Sequence, residues 1–85
     1  MYYVYILERE VDGTFYKGIS QDYLKRLLQH NSGESLFTKN KMPWKIIFVQ
    51  VFETKKEALI QERKLKRGNK EYLRWLINQP VNILK

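Results

Sequence analysis

Asp12-Gly13 lies between two runs rich in β-branched and aromatic residues, YYVYILE over 2–8 and TFYKGI over 14–19. Asp-Gly supplies the positive φ that a tight turn needs, so Glu10 to Gly13 reads as the turn of an antiparallel hairpin. The turn fixes the register: it sets Leu7 opposite Tyr16 and Tyr5 opposite Gly18. Side chains alternate along a strand, so Tyr5 and Tyr16 fall on one face, diagonal to each other. Gly18 has no side chain and is expected to leave an open pocket beside Tyr5.

The remaining elements follow from caps and periodicity. Ser20 predicts the N-cap of a helix over 21–31, ended by Asn31-Ser32-Gly33. Residues 34–42 read as a polar loop with Thr38, Lys39 and Lys41 near its tip. WKIIFVQVFE, residues 44–53, is the strongest strand pattern in the chain. Thr54-x-x-Glu57 is a capping box opening a second helix over 55–67. Asn69 caps a third helix over 70–78, which Pro80 stops. The order ββαβαα predicts an α+β fold, a three-stranded antiparallel sheet with helices packed on it, as one domain over residues 1–85. Trp44 and Trp75 are both expected in its core.

The chain contains no cysteine, which excludes disulfides and thiolate metal sites. It has no apolar run near the ~20 residues needed to cross a bilayer, and it opens on a strand pattern, not a signal peptide. A cytoplasmic protein with no membrane partner is the expectation. Formal net charge is +7, from 16 Lys+Arg against 9 Asp+Glu. Eight of the cations and three of the acids fall between Lys55 and Arg74. Such a surface attracts a polyanion by counterion release and steering, although a merely solvated surface has the same composition.

Five side chains stand out as candidates for chemistry. In the first helix Tyr23, Leu24, Leu27 and Leu28 predict the buried stripe, with Arg26 and His30 four apart on its shoulder, able to point at one ligand. Arginine offers a planar fork of donors suited to phosphate oxygens, and histidine exchanges protons near neutral pH. A pairing of Arg26 with Asp22 explains the arginine structurally instead. In the second helix Ala58, Leu59 and Leu65 mark the inward face, and Glu62 sits in its middle. A carboxylate there is costly unless paired or bound to a metal, so a salt bridge to Arg26 or a lysine competes with a Mg²⁺ site. Tyr5 and Tyr16 are equally open to reading as plain strand formers.

Taken together these residues resemble the GIY-YIG nuclease domain, in its short stand-alone bacterial type. Tyr3-Val4-Tyr5 stands where that family has Gly-Ile-Tyr, and Tyr16-Lys17-Gly18 where it has Tyr-Ile-Gly. Arg26 lies at the family's arginine position, His30 at its His/Tyr position and Glu62 at its metal-binding glutamate. Asn78 is the match to a polar residue near the family's C-terminus. The chain departs from the pattern at Tyr3, and at Ile19, where some relatives carry lysine or a hydroxyl residue.

The resemblance implies a metal-dependent endonuclease that hydrolyses DNA phosphodiester bonds, structure-directed or nonspecific, in DNA repair or processing. It implies one divalent metal, Mg²⁺ or Mn²⁺, held by Glu62. Tyr16 would act as general base with Tyr5 orienting the water. Arg26 would hold the scissile phosphate, and His30 would bind phosphate or help protonate the leaving group. Gly18, Lys17, Lys39 and Asn78 complete the expected substrate contacts. RNA stays open as a substrate, as do a targeting protein partner and a monomer or weak homodimer formed through an exposed sheet edge. The competing reading is a nucleic-acid-binding module of the same fold with little or no catalysis.

Overall fold

The computed structural model describes residues 1–34 and 42–85. Strand β1 is Tyr2–Arg9, β2 is Phe15–Ser20, helix α1 is Tyr23–Asn31, strand β3 is Trp44–Phe52, and helices α2 and α3 are Lys55–Arg67 and Lys70–Ile77. The predicted order ββαβαα holds. Arg9 and Thr14 close the first hairpin, Arg9 N–H donating to Thr14 C=O at 2.8 Å, and Gly13 takes a positive φ of 75°. The register is the expected one, with Tyr5 opposite Gly18 and Leu7 opposite Tyr16.

The three strands are antiparallel in the order β2-β1-β3. Strand β1 is thus central, and Val4, Tyr5, Ile6 and Leu7 are all buried because both faces of the sheet are covered. One face sets Val4, Ile6 and Phe48 against Ala58, Leu65, Leu73 and Leu76 of the two later helices. The other sets Tyr5, Leu7, Val49 and Trp44 against Tyr23 and Leu27 of α1. The alternation of β1 therefore sorts its residues, even numbers into one core and odd numbers into the other. A register shift between Ile6 and Leu7 marks a bulge in the pairing with β3.

The caps of α2 and α3 follow the sequence. Thr54 Oγ1 accepts from Glu57 N–H at 3.2 Å, and Asn69 Oδ1 accepts from Tyr72 N–H at 2.8 Å. Helix α1 starts two residues later than expected. Its N-cap is Asp22, which accepts from Lys25 N–H, while Ser20 Oγ accepts from Asp22 N–H one step upstream.

Helix α1 is also rotated from the expected orientation. Leu24 and Leu28 are 59% and 71% exposed; Tyr23 and Leu27 face the sheet as expected, with Arg26 and His30 in place of the two exposed leucines. That set has the same helical period as the leucine stripe, so hydrophobicity alone cannot choose between them. Specific contacts do. Tyr23 meets Tyr3 edge-on at 5.0 Å, and Asn31 exchanges two hydrogen bonds with the backbone of Trp44 at 2.7 and 2.9 Å. A second departure is Trp75. Trp44 is buried as expected, but Trp75 is 57% exposed, because Leu73 and Leu76 form the inward face of α3.

Candidate active site

Tyr5 comes from the central strand and points to the α1 side. Its ring fills the space that Gly18 vacates. A Cβ placed on Gly18 would fall 2.5 Å from Tyr5 Oη and 2.6 Å from Cζ. The open pocket expected beside Tyr5 is therefore absent: the phenol itself lies in it. Glycine here serves close approach, letting the buried strand pass its hydroxyl towards the sheet edge.

At that edge the candidate residues converge. Tyr5 Oη and His30 Nε2 share a buried hydrogen bond of 3.1 Å. The Tyr16 ring lies 4.8 Å from the His30 ring, centroid to centroid, and 6.2 Å from Trp44. The Arg26 guanidinium, the Glu62 carboxylate and Tyr16 all act electrostatically on the Tyr5 phenol. Arg26 Nη1 donates to Gln29 Oε1 at 2.5 Å, a partner that replaces the Asp22 pairing weighed from sequence. Two strands and two helices thus bring Tyr5, Tyr16, Arg26, His30 and Glu62 into one neighbourhood.

Burial moves Tyr5 and His30 in opposite directions. Burial raises the pKa of Tyr5, outweighing the opposing effect of Arg26. Tyr5 is therefore a protonated phenol at neutral pH. Burial, with the Arg26 cation, lowers His30 to about 4. His30 is neutral at pH 7 and has no solvent-exposed surface. A neutral imidazole accepts at one ring nitrogen, so the protonated Tyr5 phenol can donate to His30 Nε2. His30 is buried, with its Nε2 at the Tyr5 hydroxyl.

Tyr16 is only partly buried and lines a cleft of about 300 Å³ along the β2 edge, with Phe15, Lys17 and Lys66. Lys17, one of the expected substrate contacts, thus lines the same cleft as Tyr16. Lys66 was not singled out by sequence, although its i+4 spacing from Glu62 in QERKLK was legible. Its Nζ lies 3.8 Å from Glu62 Oε1, so a lysine partner for this carboxylate exists. The Glu62 side chain is 14% exposed, and Lys66 is largely solvated, which makes the pair weak.

One expected contact lies elsewhere. Asn78 is the C-cap of α3, donating to Arg74 C=O at 3.1 Å and accepting from Lys85 Nζ at 3.2 Å, and neither bond reaches the tyrosine cluster. Lys39 lies outside the described residues. The buried asparagine is Asn82. Its Oδ1 accepts from Val49 N–H and Leu84 N–H, and its Nδ2 donates to Ile47 C=O and Ile77 C=O. It ties the C-terminal segment to β3 and α3.

Among the described residues no group of three or more His, Cys, Asp or Glu side chains could enclose a metal. A single carboxylate at a cleft suits Mg²⁺, which keeps several waters and commonly takes one or two carboxylates plus substrate phosphates. Glu62, part-exposed and weakly paired, fits that mode.

The framework of the site is an antiparallel β2-β1-β3 sheet whose central tyrosine crosses the glycine of its neighbour, flanked by an arginine helix and a glutamate helix. The GIY-YIG catalytic domain matches residues 1–76, and the chain belongs to that family. A UPF0213 protein of Streptococcus pneumoniae serotype 4 is 38% identical to it over 96% of this chain and 85% of its own length. Another from Staphylococcus saprophyticus is 33% identical over 92% of this chain and 95% of its own. The solution NMR structure of a UPF0213 protein from Bacillus halodurans superposes with a TM-score of 0.61 at 29% identity, covering 99% of this chain and 90% of that one. Among the described residues no helix is long and apolar enough to cross a membrane.

Proposed function

We propose that this chain is a metal-dependent endonuclease hydrolysing DNA phosphodiester bonds, structure-directed or nonspecific, and that it acts in DNA repair or processing. The observation carrying this reading is the division of labour between the tyrosines. Tyr5 is buried, protonated and hydrogen-bonded to His30, within the field of Arg26, while Tyr16 faces a cleft lined by two lysines.

Tyr16 is the general base for the attacking water, and Tyr5 orients the cluster. A free phenol is only about one part in a thousand ionised at pH 7, so bringing it to neutrality requires about 4 kcal/mol in favour of phenolate. Lys17 and Lys66 line the same cleft and present cations to an incoming phosphate. Arg26 holds the scissile phosphate and stabilises the charge that develops on it. Glu62 holds the divalent ion, which when bound supplies Lewis-acid stabilisation of phosphoryl oxygens. Lys66 is then released to the substrate. The basic α2–α3 region grips phosphates without reading bases.

The test is incubation of purified protein with branched, flapped, single-stranded and duplex DNA in Mg²⁺, Mn²⁺ or EDTA. Cleavage is expected with metal alone, and Arg26→Ala and Glu62→Ala are each expected to lower it by about 10²-fold or more without unfolding the protein. Cleavage that survives both substitutions would sink the proposal. Salt-sensitive binding with no cleavage of any substrate would assign the chain to a non-catalytic nucleic-acid module.

A further inference from the structure

Helix α3 carries a built aromatic platform that the cleavage site does not use. Tyr72 and Trp75 stand three apart on its outer side and stack, with ring centroids 5.9 Å apart and planes 28° from parallel. Both are exposed, Tyr72 at 39% and Trp75 at 57%. An exposed tryptophan in so small a fold leaves apolar area in water that a core position would have removed.

The pair is held from beneath. The Tyr72 ring lies against Gly68, where a Cβ would fall 2.8 Å from Tyr72 Cδ2. Gly68 has φ −70° and ψ 143°, a conformation any residue adopts, so the glycine serves the ring's space and not the backbone. Tyr72 N–H is fixed on the Asn69 cap. The ring therefore rests on the end of α2, whose last turn carries Lys64, Lys66 and Arg67. A flat π surface bordered by cations is complementary to one class of partner, a strand that offers bases and phosphates together.

We propose that Tyr72 and Trp75 form a stacking site for an unpaired nucleobase, so that the protein binds nucleic acid with single-stranded character better than continuous duplex. Every base has a π face, so such a site is tolerant of sequence, while α2 cations contact the adjoining backbone. The bases of a continuous duplex are already stacked and cannot occupy it. This rests on the nucleic-acid reading above and narrows its substrate to flaps, gaps, branches or single strands.

The chain has two tryptophans, Trp44 4% exposed beside Tyr16 and Trp75 exposed on α3, so the part of the quenching that Trp75→Leu removes reports on Trp75. Wild-type protein in EDTA is titrated with a thymidine oligonucleotide of about 12 nucleotides, with an abasic strand of the same length and with duplex. The thymidine strand is expected to quench Trp75 emission and to bind about tenfold tighter than the abasic strand. Trp75→Leu is expected to remove that tenfold difference, and Trp75→Phe to keep most of it. Equal affinity of Trp75→Leu and wild type for the base-bearing strand would overturn the stacking site while leaving metal-dependent cleavage intact. Failure of every nucleic acid to bind would overturn both readings. Self-association lost in Trp75→Leu, without any oligonucleotide effect, would assign the platform to a second copy of the chain.

Discussion

Tyr5 and His30, twenty-five residues apart, join the central strand to the first helix through a buried hydrogen bond of 3.1 Å. The bond makes the integrity of the site depend on His30 staying neutral. In the folded chain its pKa is about 4, against an ordinary value of 6.5. Above pH 6.5 folded and unfolded chains both hold neutral imidazole and the stabilisation is complete. As pH falls towards 4 the unfolded chain takes up a proton that the folded chain refuses, so stability is lost. The loss amounts to about 2 kcal/mol by pH 5 and about 3 kcal/mol in all. Urea unfolding at pH 7 and pH 5 measures it. His30 is the chain's one histidine, so His30→Gln should flatten the dependence over this interval; an equal slope in both proteins would refute the assignment.

Gly18→Ala is a steric test of the crossing beneath Tyr5. The new methyl would lie 2.5 Å from a hydroxyl that has no free volume to retreat into, since Tyr5 is only 1% exposed. Overpacking of this kind costs about 1–3 kcal/mol. Displacement of the phenol should also break its bond to His30 and lower cleavage by a larger factor than the stability loss explains. Chemical denaturation and single-turnover cleavage of the same variant separate the two.

Asn82 and Asn78 should behave differently when changed to alanine. Asn82 is 3% exposed and satisfies four backbone groups on β3, α3 and the terminal segment. Its loss leaves buried partners unpaired and should cost about 2–4 kcal/mol. Asn78 is an exposed cap whose removal should cost under about 1 kcal/mol. Thermal unfolding of the two variants orders them, and an equal shift would contradict the hydrogen-bonding pattern.

The orientation of α1 makes a third stability contrast. Leu24→Ser and Leu28→Ser change exposed positions and should stay within about 0.5 kcal/mol of the parent. Leu27→Ala, on the face packed against Tyr5, Leu7 and Trp44, should cost more than about 1 kcal/mol. Loss at Leu28 comparable to that at Leu27 would mean the helix presents its other face.

Much of the site was legible because its parts are set by local rules. The Asp12-Gly13 turn dictates the strand register, and the register puts Tyr5 opposite Gly18 and diagonal to Tyr16. The Thr54 and Asn69 caps place α2 and α3, and with them Glu62. What escaped sequence reasoning lies where two local answers have nearly equal energy. In α1 the stripe through Leu24 and Leu28 and the stripe through Tyr23, Arg26, Leu27 and His30 have the same period. Asn82 sits among Val81, Ile83 and Leu84, which suggests a buried apolar tail, yet those three are exposed and the polar residue is inside.

The sequence by itself determined the elements, their order and the hairpin register, because caps, turns and alternation act over a few residues. Only the tertiary structure decided which face of α1 meets the sheet, that Tyr5 fills the gap at Gly18, that His30 is neutral and buried, and that Trp75 stands in solvent. Each of these depends on which distant surfaces meet. Desolvation and close packing are properties of that meeting, and no local pattern contains them.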